Sequence, residues 1–232
     1  MSRRKLLCLA LFTLLLTSPA PLRVWAWTGT GLAPAPFSRV EPLSPVASAD
    51  FDGDGRPETL RLDQGRAVLL SGEQVRWESP PGWQVRQAEI ADLNRDGLPE
   101  AVLLVWRPFK PWPVDQWLPS GGRIAGFHDS AGNSCHLILI GWQRSAFRER
   151  WAGSALAEPV QRFAVADLAG NGKPVLVALE AAYDESPSAP ARRLKLWEWN
   201  GFGFSLIATL DGPFGQLALV RDANGRNLIL LP

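Results

Sequence analysis

Two stretches hold the residues best able to do chemistry: 50–58, DFDGDGRPE, and 92–100, DLNRDGLPE. In the first, acids stand at positions 1, 3, 5 and 9 of a nine-residue loop (Asp50, Asp52, Asp54, Glu58). The second offers Asp92, Asn94, Asp96 and Glu100 at the same positions. Oxygen donors on alternate residues of a tight turn suit a hard cation, and calcium takes six to eight oxygens at roughly 2.3–2.6 Å. Gly55 and Gly97 at position 6 let the chain turn with positive φ. Position 7 (Arg56, Leu98) would give only its backbone carbonyl, so its side chain is free to vary. Like charges packed this closely repel unless a cation intervenes. The plain alternative is a pair of acidic turns, since Asp and Gly are ordinary turn residues.

The elements that would position these loops are strands. An EF-hand needs a bidentate Glu at position 12 and flanking helices, but position 12 is Arg61 in one loop and Leu103 in the other. Pro57 and Pro99 would obstruct an exit helix. The second loop is flanked by VRQAEIA and EAVLLVW, runs of strand length and strand composition. A hairpin closed by the acids at positions 1 and 9 resembles the FG-GAP (VCBS-type) repeat of integrin-α-like β-propellers. The resemblance spans roughly 45–232 and is strongest over the first two loops. It implies a propeller of four-stranded blades and a calcium ion in each intact loop.

Aligned on the loop glycine, the motif recurs at Gly55, Gly97, Gly172 and Gly225, with spacings of 42, 75 and 53 residues. The third copy, DLAGNGKPV, keeps Asp167, but Ala169, Asn171 and Val175 replace the other acids. The fourth, VRDANGRNL, keeps Asp222 and Asn224. The expectation is therefore two calcium sites. Strands are predicted at 45–49, 59–62, 66–70 and 74–77; at 85–91, 101–106, 136–142 and 146–151; at 161–166, 175–180, 192–199 and 204–210; and at 216–220 and 227–231. The half-blade left over has a counterpart at the N-terminus. LRVWAWTGTG from Leu22 is similar to LKLWEWNGFG from Leu194, and 36–41 would follow as a fourth strand. The fold expected is all-β: a β-propeller of four-stranded antiparallel blades, four in number, closed by an N-terminal strand pair.

Residues 1–26 read as a secretory signal: Arg3, Arg4 and Lys5, an apolar run from Leu6 to Leu16, then small residues. The apolar run is too short to span a bilayer. Two cleavage points compete: Ala20 has small neighbours but is followed by Pro21, which signal peptidases handle badly, and Val24-Trp25-Ala26 is the second. Residues 27–232 are then one propeller domain to which 22–41 adds the closing strands. Losing Arg3, Arg4, Lys5 and Arg23 leaves 20 basic against 23 acidic residues, a net −3. With no basic run, nothing favours nucleic acid. Cys8 lies in the signal, so Cys135 has no partner for a disulfide and reads as a buried, inert thiol. The protein is expected outside the cytoplasm, extracellular or periplasmic, with no transmembrane span after signal removal.

The loops between second and third strands emerge on the face opposite the acidic loops. In the second blade this connection is nearly thirty residues long and rich in Pro, Gly and Trp, a length that usually signals function. Arg107, Trp112, Asp115, Trp117 and His128 make it a candidate surface for carbohydrate or a protein partner. The other expected Trp residues, Trp77, Trp142, Trp151, Trp197 and Trp199, fall in strands and should pack between blades. The first functional reading is a secreted calcium-binding adhesion or binding module. The rival is a hydrolase or lyase using His128, Asp129, Asp115 or Tyr183 on the loop-rich face; a third is a structural exported domain.

Overall fold

The computed structural model describes residues 21–36, 40–111, 126–186 and 188–231. The chain opens with β1 (Arg23–Trp27), β2 (Leu32–Ala35) and β3 (Glu41–Pro42). Blade one follows as β4 (Ser48–Ala49), β5 (Glu58–Asp63), β6 (Arg66–Ser71) and β7 (Gln74–Glu78). Blade two is β8 (Gln84–Ala91), β9 (Glu100–Pro108), β10 (Asn133–Gln143) and β11 (Ala146–Ala152). Blade three is β12 (Val160–Ala166), β13 (Val175–Glu180), β14 (Ala191–Trp199) and β15 (Phe204–Phe214). The last strands, β16 (Ala218–Arg221) and β17 (Asn227–Leu231), join β1, β2 and β3 in a sheet of order β2-β1-β17-β16-β3. All four sheets are antiparallel, and they form the ring of a four-bladed propeller.

The ring closes as the Trp-rich likeness predicts. Arg23, Val24 and Trp25 pair with Leu231, Leu230 and Ile229, so β1 is the third strand of the last blade. One detail differs. The strand paired outside β1 is β2, and of the expected 36–41 strand residues 37–39 lie outside the described residues. The turn at Thr28–Gly31 is tight: Thr28 N donates to Gly31 O at 2.9 Å, and Gly29 has φ 94°. That turn leaves only a few residues before β2 begins. Glu41 and Pro42 instead pair with Arg221 and Val220 at the opposite, inner edge. A proline suits that edge, since it has no ladder N–H to offer.

Apolar clusters fill the seams. Ala67, Leu69, Val85, Leu103 and Ile138 join blades one and two. Leu104, Cys135, Leu139, Phe163 and Leu176 join blades two and three, and Val177, Leu179, Leu196 and Ile229 join three and four. Strands β9 and β13 lie between two neighbours, which is why both read as continuous apolar runs and are buried along nearly their whole length. Trp77 and Trp142 pack on the first of these clusters, and Trp151, Trp197 and Trp199 on the second, as expected. Trp151, Trp199 and Phe204 meet edge to face at 5.2–6.0 Å. Cys135 is fully buried, and burial pushes its thiol up to about 12.

The innermost strands of blades two and three are joined by side chains. Gln87 Nε2 donates to Phe163 O at 2.6 Å, and Phe163 N donates to Gln87 Oε1 at 3.0 Å. Val165 N donates to Glu89 Oε2 at 3.2 Å. These bonds satisfy backbone groups on the free edge of β12 that no strand reaches. A cavity of about 390 Å³ lies beside this seam, walled by β8, β12, β16 and the 42–46 connector.

Candidate metal centres and a ligand cleft

Each acidic loop is a turn wrapped around its first Asp. In loop one, Gly53 N and Asp54 N donate to Asp50 Oδ1 at 2.8 and 3.1 Å, and Gly55 N donates to Asp50 Oδ2 at 2.8 Å. In loop two, Asp96 N and Gly97 N donate to Asp92 Oδ1 and Oδ2 at 3.1 and 3.0 Å. The N–H of Arg56 caps Asp54 Oδ1 at 2.8 Å, and that of Leu98 caps Asp96 Oδ1 at 3.1 Å. Position 6 has positive φ, as the glycines require. Position 4 is left-handed too, at Gly53 (φ 75°), Arg95 (φ 63°) and Gly170 (φ 69°). Position 2 is an apolar anchor: Phe51 and Leu93 are fully buried and Leu168 nearly so. Phe51 meets Phe147 edge to face at 5.6 Å.

Two groups of carboxylates converge: Asp50, Asp52 and Glu58, and Asp92, Asp96 and Glu100, each with ligand oxygens within 4.8 Å of one another. Asp54 falls outside the first group and is exposed. Glu58 and Glu100 begin the strands that leave the loops and are 0% and 1% exposed. Each ties back across its hairpin, accepting from Phe51 N and Leu93 N at 3.1 Å. The remaining oxygens differ. Glu58 Oε1 is buried with no hydrogen-bond partner among the described residues. Glu100 Oε1 accepts from the Asn94 amide, and Asp96 is paired with the Arg150 guanidinium. Burial pushes Glu58 above the ordinary carboxylate range, with Asp52 and Asp54 adding to it. Burial, then Asp96 and Asp92, raise Glu100 to about 8. A cation reverses both effects, because it favours the charged form.

The third and fourth loops keep the turn with one acid each. Asp167 accepts from Asn171 N and Gly172 N at 3.1 and 2.7 Å, as its counterparts do. In the fourth, Arg226 Nε reaches Asp222 Oδ2 at 2.8 Å, so the loop carries its own cation. Backbone bonds from Arg226 and this guanidinium hold Asp222 below the usual carboxylate range.

On the opposite face, the sequence-predicted ligand residues divide. Trp112, Asp115 and Trp117 lie outside the described residues. Arg107 lines a cleft of about 620 Å³ on blade two, beside the connector that enters it from blade one, with Trp83, Lys110 and His136. His128 stacks at a tilt on Phe109, 5.2 Å away, and bonds Asp129 O through Nδ1 at 2.8 Å; it does not line that cleft. Asp129 and Tyr183 line a second cleft, between blades two and three. Tyr183 is structural: its hydroxyl donates to Leu156 O at 2.8 Å and accepts from Cys135 N at 3.1 Å. Ser134 Oγ and His136 Nε2 are 2.7 Å apart, the reach of a nucleophile and its base. Ser134 is fully buried, however, and burial lowers His136 to about 4, so this pair presents no activated hydroxyl to a substrate.

Fold and site together define the class: a four-bladed β-propeller with two acidic hairpin loops able to hold metal ions. No protein-family model, curated protein or solved structure matches the chain.

Proposed function

We propose that this is a secreted, calcium-stabilised propeller of the FG-GAP (VCBS-type) kind, working as a binding or adhesion module for carbohydrate or protein. The observation that carries the metal reading is Glu58 Oε1. A buried carboxylate oxygen with no hydrogen-bond partner among the described residues is costly, and here it shares a site with Asp50 and Asp52. A hard dication satisfies that oxygen and offsets the repulsion among the three acids. Calcium fits the all-oxygen donor set; Asp50, Asp52 and Glu58 would hold one ion, and Asp92, Asp96 and Glu100 the other. Turned about its amide, Asn94 would add an oxygen to the second.

The ions would pin the hairpins that start the second strands of blades one and two, so the metal is structural in this reading. The binding reading rests on the open cleft at Arg107, on the face away from the metal loops. Differential scanning calorimetry tests the metal reading: EDTA should lower the melting temperature and added calcium restore it. Occupancy at a hundredfold excess over Kd adds about 2.7 kcal/mol per site. An identical melt with EDTA and with millimolar calcium would refute it.

A further inference from the structure

We propose that the cleft of blade two beside the 81–83 connector takes an acidic saccharide, with Arg107 holding its carboxylate. This deepens the binding-module reading and rests on it, but does not depend on calcium. Among the described residues that line it, the cleft has two cations, Arg107 and Lys110, and no acid. Arg107 is half-buried, and burial weakens its hold on its proton. No carboxylate among the described residues lies within 4.0 Å of its guanidinium; Glu149, whose field reaches it, is further away. Three cations of blade three, by contrast, are neutralised: Arg192 by Glu185, Arg193 by Glu158 and Lys195 by Glu158 and Glu180. A partly desolvated guanidinium without a counter-ion is a ready acceptor for a bidentate carboxylate.

Arg107 is also held in position. Its Cζ stands 5.6 Å from the Trp83 ring centroid. Its Nη2 passes 3.5 Å from His136 Nδ1, whose proton goes to Gly153 O, so the imidazole packs against the guanidinium without accepting from it. Both imidazole nitrogens are engaged, Nδ1 with Gly153 O at 3.0 Å and Nε2 with Ser134 Oγ. His136 is therefore a neutral wall and does not compete for the anion. The cleft favours a compact ring over an extended peptide. Pro81, Pro108 and Pro111 offer no N–H for strand addition. Trp83 supplies an aromatic surface of the kind on which sugar rings pack, and the volume suits one or two sugar units.

Titration calorimetry on the full chain in calcium tests this, using glucuronate, glucose, inorganic phosphate and a hexa-aspartate peptide as probes. Glucuronate should bind and glucose should not, with affinity falling as salt is raised. Arg107→Gln should weaken glucuronate about tenfold to a hundredfold, since it removes a charge-assisted pair. Lys110→Gln, at an exposed position that folding does not need, should weaken it by a smaller factor. Equal binding of glucose, or wild-type affinity in Arg107→Gln, overturns the proposal. Preferential binding of phosphate or of the peptide also overturns it, by moving the ligand to another class. If none of the four probes binds, the proposal fails, whereas the EDTA melt reports on the calcium reading separately.

Discussion

Replacing Glu89 by Gln should stabilise the protein at alkaline pH and not at acid pH. Glu89 reaches from β8 to the edge of β12, where it accepts from Val165 N and from Gln87 Nε2. Burial raises its carboxyl from 4.5 to about 7, while the bonds from Gln87 and Val165 oppose that rise. The folded chain therefore keeps this proton to higher pH than the unfolded chain. Its contribution is fully present below about pH 4.5 and is lost as pH rises through about 7. At 1.36 kcal/mol per unit, the gap corresponds to roughly 3 kcal/mol at most. Gln mimics the protonated acid. Its amide oxygen keeps the Val165 bond, but its NH₂ cannot accept from Gln87, a loss of about 1 kcal/mol. The variant should be slightly less stable than wild type at pH 4.5 and more stable at pH 8, by about 2 kcal/mol. Urea titrations of both proteins across this range, in EDTA, measure it. Glu58 and Glu100 add slopes of the same sign, which cancel when the two proteins are compared at each pH. A constant difference between them at all pH values would refute the reasoning.

The closing strand and the blade-three charge network give two more predictions. A chain beginning at Trp27 loses the pairs of Arg23, Val24 and Trp25 with β17 and exposes that strand's edge. The lost burial of Val24 and Trp25 is worth on the order of 4 kcal/mol, so the shortened chain should melt earlier or self-associate, as gel filtration would show. N-terminal sequencing of exported protein should accordingly find Pro21 and not Trp27; a stable monomer starting at Trp27 would contradict this. Lys195 lies between Glu180, buried at 5% exposure, and Glu158, 2.6 Å from each. Lys195→Met strands the Glu180 carboxylate and should cost about 3 kcal/mol near pH 7, with much of the loss recovered in the Lys195→Met/Glu180→Gln double variant.

Much of this was legible in the sequence because the repeat is local. Oxygens at positions 1, 3 and 9 and a glycine at 6 lie within nine residues, and the Trp-rich likeness at Leu22 and Leu194 disclosed the ring closure. What was missed depends on neighbours distant in the chain or on backbone geometry. Gln87 and Glu89 bond Phe163 and Val165, 76 residues away, and nothing in VRQAEIA marks those side chains as stand-ins for a strand. The left-handed position 4 was masked by Arg95, which takes φ 63° and whose guanidinium reaches Glu198 of blade three at 2.9 Å. Gly53 and Gly170 at the same position were the available signal. The anchors Phe51 and Leu93 were visible as apolar residues inside polar loops, which turn chemistry alone does not explain. The order of elements alone points to 36–41 for the fourth strand, whereas the tight turn at Thr28–Gly31 lets β2 begin at Leu32. At position 5 the loops differ: Asp96 converges with Asp92 and Glu100, whereas Asp54 stands outside the Asp50, Asp52 and Glu58 group, a difference that spacing does not show.

Calcium titration calorimetry on the metal-free full chain tests the central claim most directly. The account predicts two ions per chain, with dissociation constants in the range of extracellular modules, roughly 10⁻⁴–10⁻³ M. The loop-one site should be the tighter, because Asn94 and the hydrogen-bonded Arg150 must give way at loop two, whereas at loop one Arg76 stands 3.9 Å from Asp52 without a hydrogen bond. Asp50→Asn should remove the tighter site and Asp92→Asn the weaker. No heat on adding calcium, or a stoichiometry unchanged in both variants, would contradict it and leave these loops as acidic turns.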